Sequence, residues 1–297
     1  MPRSVQRFVP LALLLTMLST EVIAATIFDD GGINDYGGSD PTGAFVRDSA
    51  GGAPTTLNLL SGADLGPVDV EDASRLNAFS GSQVASLDAL DSSRVTIAGG
   101  SHGGVDVHND ATGQISGGTF SVCSGPCLRV FNQAEVEVID GSFSNPGQVV
   151  ASANAFGVLW IRGGSFDGIV RANDDSAIEI SGGTIQDVQS LNQAVLTIRG
   201  DGFLAQEGGS TLVNGFGEIT EGFNGTITGT LADGTPLVAD GLNGVVGSKI
   251  VLAPASAVSV PGLASLAARG LLAAGLLVLG GLASWRGASR RRTPTPF

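Results

Sequence analysis

The sequence predicts an all-β protein: a single-stranded parallel β-helix of about eight or nine coils, followed by one C-terminal transmembrane helix. Three observations carry this expectation. A glycine-rich turn phrase recurs at nearly constant spacing. An Asn or Asp stands at a fixed offset before nearly every copy. The body has no interval with apolar residues at helical spacing, whereas the C-terminal end holds a long apolar run.

The turn phrase is clearest in "AIEISGGTIQDV", residues 177–188. An alternating strand, Ile178-Glu179-Ile180, runs into Ser181-Gly182-Gly183-Thr184, and a second apolar run follows. Equivalent turns fall at Ser61, Ser80, Gly99, Gly117, Asp140, Gly163, Gly182 and Gly200, spaced by 19, 19, 18, 23, 23, 19 and 18 residues. A degraded ninth copy lies near Glu221. Period-two alternation puts one side of each strand inward and the other outward. A leucine-rich repeat of similar length would show an Asn/Cys-containing leucine consensus, which this chain lacks. The period fits one coil per repeat, each strand stacking on its predecessor at ~4.8 Å, to give a rod of about 40 Å. Glycine belongs at the sharp turn because it accepts φ > 0 without a Cβ clash.

Eight residues before the aligned positions stand Asp72, Asp91, Asn109, Asn132, Ala155, Asp174 and Asn192, with Asn154 beside the exception. Asn and Asp tolerate left-handed backbone and bond neighbouring main chain, so this column predicts a polar ladder at one corner. Coils with such ladders resemble right-handed parallel β-helices of the pectate-lyase type. The repeats occupy residues 57–202; 26–56 is expected as an N-terminal cap, 203–250 as closing coils and cap, and 251–262 as a Pro/Ala/Ser linker.

Both ends read as addresses. Residues 1–25 combine Arg3 and Arg7, an apolar core from Phe8 to Leu18, and small residues at Ala24-Ala25, the pattern of a secretory signal peptide. Residues 263–285 are apolar apart from Arg269, long enough to cross a bilayer core of about 30 Å. Arg286 and the cluster Arg290, Arg291 and Arg292 follow, so residues 286–297 are expected on the cytoplasmic side and the body outside. A Pro-containing motif, Val260-Pro261-Gly262-Leu263, then one helix, then arginines: this tail resembles the exosortase-type PEP-CTERM and IPTL-CTERM sorting tails, and is nearer Ile-Pro-Thr-Leu than Pro-Glu-Pro. The resemblance covers about 38 residues. It implies a Gram-negative envelope, an inner-membrane intermediate, a sorting protease-transpeptidase as partner, and delivery to the cell surface or beyond. A plain membrane anchor is the alternative.

Charge narrows the partners. Between residues 25 and 260 there are 8 basic residues against 27 acidic ones, a difference of −19. Such a body repels phosphate backbones, and with aromatics at 5 % it lacks stacking platforms, which argues against nucleic acid.

Candidate chemistry is sparse. "DASRL" and "DSSRV" place Asp72 under Asp91 and Arg75 under Arg94, with carboxylates about 5 Å apart, the separation of retaining glycosidases. Polysaccharide lyases on β-helices also use Asp with Arg, plus calcium; the plainer reading is ladder residues and outward ion pairs. "GGSHG" (99–103) has the spacing of a nucleophile elbow but lies in the repeat turn with no helix after it. His102, Asp106 and His108 could share an outward face for a metal, but no zinc-type spacing accompanies them and exposed loop histidines are the plainer reading, so no metal site is expected. Cys123 and Cys127, in an exported chain, are expected to pair as a disulfide. Trp160, between inward candidates Leu159 and Ile161, is expected to point out, where it could stack on a sugar ring, although a plain solvent-side strand residue is the commoner case. "DDGGINDYGGSD" (29–40) is acidic and glycine-rich, so calcium is conceivable there, but it matches neither the EF-hand loop nor the Gly-Gly-x-Gly-x-Asp repeat, and no cofactor is expected. The leading expectation is therefore a surface or matrix structural and adhesion module without catalysis. The alternatives are a polysaccharide-active enzyme and a calcium-binding surface module.

Overall fold

The computed structural model describes residues 25–255, except Val122, Glu221, residues 244–246 and the side chains of Leu242 and Asn243. The signal segment, the sorting motif, the transmembrane segment and the arginine cluster lie outside the described residues.

Among the described residues every regular element is a strand, and most strands pair in parallel with the equivalent strand one repeat away. The chain winds as a β-solenoid of about nine turns with three faces. The first face holds ten rungs in register, from Ile33–Tyr36 through Thr56–Leu59 and Arg75–Ala78 to Lys249–Pro254. The second is made of two-residue rungs such as Ser142-Phe143 on Ser165-Phe166. The third stacks apolar–polar–apolar triplets: Val68-Asp69-Val70, Leu87-Asp88-Ala89, Val105-Asp106-Val107 and Leu128-Arg129-Val130.

Alternation fills the interior. On the first face Leu57, Leu76, Val95, Val136, Leu159, Ile178 and Leu196 point inward and are buried, while their neighbours face out. The second face adds an aromatic column. His102, Phe120, Phe143 and Phe166 stack with centroid distances of 5.3, 4.3 and 4.7 Å. The rung spacing imposes that near-parallel stacking, which holds large apolar surfaces in contact along the axis.

The corners explain the sequence pattern. All seven predicted positions, Asp72, Asp91, Asn109, Asn132, Ala155, Asp174 and Asn192, have φ between 55 and 59°, and they are the only non-glycine residues with positive φ among those described. Each begins a tight turn closed by a bond such as Ser93 N–H to Leu90 O at 3.1 Å. A turn with φ > 0 at its first central position favours Asn, Asp or Gly. Amides link the corners along the axis: Asn132 Nδ2 donates to Asn109 Oδ1 at 3.1 Å, and Asn192 Nδ2 to Asp174 Oδ1 at 2.8 Å. The two glycines of "SGGT" serve different needs. Gly183 sits at φ +90°, whereas a Cβ on Gly182 would lie 2.1 Å from the Arg162 carbonyl oxygen. One is required by conformation, the other by close approach.

The two ends differ. Residues 26–46 carry rungs in register with the coil above, Thr26–Phe28 on Ala44–Val46 and Ile33–Tyr36 on Thr56–Leu59. At the far end the chain leaves the helical path. Val195–Glu207 pairs antiparallel with Ser210–Asn214 and with Asn224–Leu231, and Asn224–Leu231 with Pro236–Asn243. The chain then re-enters the solenoid: Pro236–Asn243 completes the third face on Thr184–Ser190, and Lys249–Pro254 completes the first. Gly217–Ile219 covers the last first-face rung in antiparallel fashion, which occupies an edge otherwise open to pairing.

Two coils are longer than the others. The extra residues of the 23-residue repeats are looped out between the second and third faces, at the disulfide segment and between Ser144 and Val149, where the register shifts. Cys123 and Cys127 are bonded, Cα–Cα 5.2 Å, and Asn145 Nδ2 donates to Gly125 O at 2.9 Å. The two loops thus form one ridge.

Candidate functional site

Two features of the rod gather polar side chains. The first is an acidic cleft beneath the ridge, about 440 Å3, with Asp88, Asp106 and Arg129 on its floor and Ser124, Gly125 and Pro126 in its wall. Asp69, Asp88, Asp106 and Arg129 are outward residues of four successive third-face rungs, directly registered on one another. Arg129 Nε donates to Asp106 Oδ1 at 2.6 Å and its Nη2 pairs with Oδ2, a two-pronged contact. That bond, with the charges of Asp106 and Asp88, raises the Arg129 pKa despite burial. Among the described residues Asp88 has no such counter-ion at hydrogen-bond distance. Burial first, and then the like charges of Asp106 and Asp69, push its carboxyl above the ordinary range. Burial alone does the same to Asp69. His108 closes the group from the next outward position. Its ring stacks on Phe131 at 4.6 Å and 8°, and the Arg129 guanidinium lies 5.7 Å from that same ring.

The second feature is a shallow depression of about 280 Å3 on the first face, lined by Arg94, Gln114, Glu135, Glu137 and Trp160 around Gly113. Gly113 occupies an inward register position between Val95 and Val136 but carries no side chain. Trp160 lies in the outward row between Glu137 and Glu179 and is half-buried. Both carboxylates are paired. Arg162 Nε bonds Glu137, and Gln114 Nε2 also donates to Glu137, at 3.1 Å. Arg199 Nε stands 2.8 Å from Glu179 Oε2, an ion pair too bent to count as a hydrogen bond. The indole is therefore set among neutralised polar groups rather than in a bare acidic field.

The sequence-derived candidates fall differently from their expected grouping. His102 does not share the outward face of Asp106 and His108: it is 2 % exposed and points inward onto Phe120, its Nε2 bonded to the Gly99 carbonyl at 2.9 Å. The bend at Gly103 and Gly104 explains this: it ends the strand Arg94–His102 and resets the alternation before Val105–Val107, so 106 and 108 belong to a different face from 102. Gly99 and Ser101 of "GGSHG" lie inside strand Arg94–His102 and its bend, not at a strand–helix junction. Asp72 and Asp91 sit at the corner, Asp91 accepting from Asn109 at 3.5 Å, while Arg75 and Arg94 are registered on each other at the start of the first face. In "DDGGINDYGGSD" the carboxylates are engaged locally: Asp30 accepts from Gly32 N–H at 2.8 Å and Asn34, and Asp40 from Thr26 and Thr42. The residues missed by sequence reasoning are Asp69, Asp88 and Arg129. Their signal was present, as a charged residue between two apolar ones at spacings of 19, 18 and 23, the same series as the corners.

Comparison of the chain with protein-family models, with characterised proteins and with solved structures returned no match.

Proposed function

We propose that this protein is an exported structural and adhesion module of the cell surface or extracellular matrix, delivered by its C-terminal sorting tail, and that it holds polysaccharide on its first face. The observation that carries the ligand reading is the Trp160 depression. Sugar recognition combines an aromatic face for the apolar side of a pyranose with planar hydrogen-bonding groups at its rim. Trp160 with Gln114, Glu137 and Arg94 provides that combination on a rigid parallel sheet. A flat array of identical rungs also suits an extended ligand lying along the axis. Delivery rests on the basic-apolar start and the Val260-Pro261-Gly262-Leu263 tail.

One experiment tests both parts. Protein recovered from the surface fraction of its native host is weighed intact, then run through gels containing acidic or neutral polysaccharides. The expected mass ends near residues 260–263, and one polysaccharide class retards migration. Trp160→Ala is expected to weaken that retardation about tenfold, the worth of one aromatic stacking contact. A mass running to Phe297, found only in membranes, sinks the sorting reading. Retardation by no glycan, or retardation indifferent to Trp160→Ala, sinks the ligand reading.

A catalytic alternative is favoured at a different place from the one the sequence suggested. Asp88 and Asp106 are neighbouring carboxylates in unlike environments, one relieved by Arg129 and one not. Paired carboxylates in unlike environments are the apparatus of glycoside cleavage. Release of reducing sugar that Asp88→Asn abolishes would favour this reading over adhesion.

A further inference from the structure

At the margin of the cleft beneath the ridge lies a grouping that neither adhesion nor the sugar platform uses. One carboxylate oxygen each from Asp88 and Asp106, and one imidazole nitrogen from His108, lie within 4.8 Å of one another. We propose that Asp88, Asp106 and His108 bind one divalent first-row transition ion, with Zn2+ the best match, and that Arg129 orients Asp106 for it.

Four features support this. The donors come from adjacent rungs of a parallel sheet, Asp106 registered on Asp88, so the backbone fixes their separation before any ion arrives. The stack of Asp69, Asp88 and Asp106 brings three carboxylates together against the single guanidinium of Arg129, and that guanidinium is committed to Asp106. Like charges in direct register are unfavourable, and a cation bridging them removes the cost. His108 is held by stacking on Phe131, and among the described residues its ring nitrogens make no hydrogen bond, which leaves them available to an ion. Lastly, Arg129 grips Asp106 through both oxygens, and a ligating carboxylate is commonly held by such an outer partner, which fixes its direction.

The donor set selects the ion. Calcium takes six to eight oxygen ligands and makes poor use of imidazole. Two carboxylates and one imidazole, with an open position toward the cleft, match tetrahedral Zn2+, whose ligands stand at roughly 2.0–2.2 Å. Donors around such an ion are closer together than the present limit, and rotation of the Asp88 carboxylate, which makes no hydrogen bond or ion pair among the described residues, closes the difference. Bound there, the ion clips the coil carrying Asp88 to the coil carrying Asp106 and His108. It would brace the rod where the two long coils begin.

The test is calorimetric titration of Zn2+ into the full chain in detergent micelles, repeated with Ca2+, and with Co2+ read by its visible absorption. One Zn2+ per chain is expected, with a Co2+ spectrum of mixed nitrogen and oxygen ligation and a rise in thermal midpoint on adding Zn2+. Asp88→Asn and His108→Gln should each weaken Zn2+ binding at least tenfold while leaving the strand circular dichroism of the ion-free protein in place. His108→Gln carries the test if the Asp88 variant does not fold, since His108 lies outside the core. Absence of Zn2+ binding, binding that both variants retain, or Ca2+ binding tighter than Zn2+ at these residues would each overturn the proposal.

Discussion

Two columns of like residues climb the same rod at the same spacing, one inside and one out. Inside, His102, Phe120, Phe143 and Phe166 stack ring on ring, all but sealed from water. Outside, Asp69, Asp88 and Asp106 stack carboxylate on carboxylate until Arg129 takes the next rung. A solenoid places each residue over its equivalent in the coil below, so any side chain meets its own kind. Rings gain contact from this arrangement, corner amides gain hydrogen bonds, and carboxylates lose. The stabilising columns make the fold, while the costly one is relieved over only part of its length, where Arg129 pairs with Asp106.

The comparison can be broken most severely in the aromatic column. Phe143 contacts rings on both sides, at 4.3 and 4.7 Å. Phe143→Ala should destabilise the rod by about 3–5 kcal/mol, because the coil cannot collapse into the space without shortening its own rung. Urea unfolding followed by circular dichroism measures it. A loss below about 1 kcal/mol would mean the column is not a structural spine.

His102 at the end of that column gives the next largest effect. It is buried with its Nδ1 unpartnered, and burial lowers its pKa below the ordinary histidine value. The folded state therefore keeps the ring neutral while the unfolded chain takes up a proton as pH falls through about 6.5. Stability from this source is complete above that pH and declines below it, by at most about 1.4 kcal/mol per pH unit. His102→Phe should flatten the acid limb of stability between about pH 6.5 and the range where carboxylates titrate. An unchanged limb would place its origin elsewhere.

The smallest effect sharpens the amide column. Ala155 is the one corner that is neither Asn nor Asp, yet it adopts φ 55° like the rest. Left-handed backbone costs alanine roughly 1 kcal/mol or more, and asparagine less. Ala155→Asn should raise stability by about 1 kcal/mol by joining the column between Asn132 and Asp174. No gain would indicate that neighbouring Asn154, which accepts a bond from Asn173 at 2.9 Å, already supplies the missing link.

Much of the fold was legible because a coil repeats its geometry. Turn glycines, corner Asx residues and alternating strands each recur at the coil period, and a repeated backbone constraint leaves a repeated residue choice. All seven corners were identifiable, Ala155 included, since register rather than residue type placed it. The sites were less legible. Asp72 and Asp91 attracted notice through the repeated "DASRL" and "DSSRV", but repetition there reflects turn conformation. His102 stands near Asp106 and His108 in sequence, but the bend at Gly103 and Gly104 separates its face from theirs. The antiparallel excursion after residue 200 interrupts the period, so the return of Lys249–Pro254 to the first face carried no local signal.

The sequence by itself determined the architecture: stacked parallel coils, their period, their sharp corners and the proximity of Cys123 to Cys127. These follow from local backbone preferences and alternation, which act over a few residues and repeat. Only the tertiary structure decided which side chains share an outward neighbourhood. It set Asp88 against Asp106 and Arg129, brought His108 to their margin, looped out the extra residues of two coils into a ridge over them, and placed Trp160 in one shallow depression with Gln114, Glu137 and Arg94. Those juxtapositions depend on where each coil absorbs its surplus length, and that is fixed by packing between coils roughly twenty residues apart in the chain.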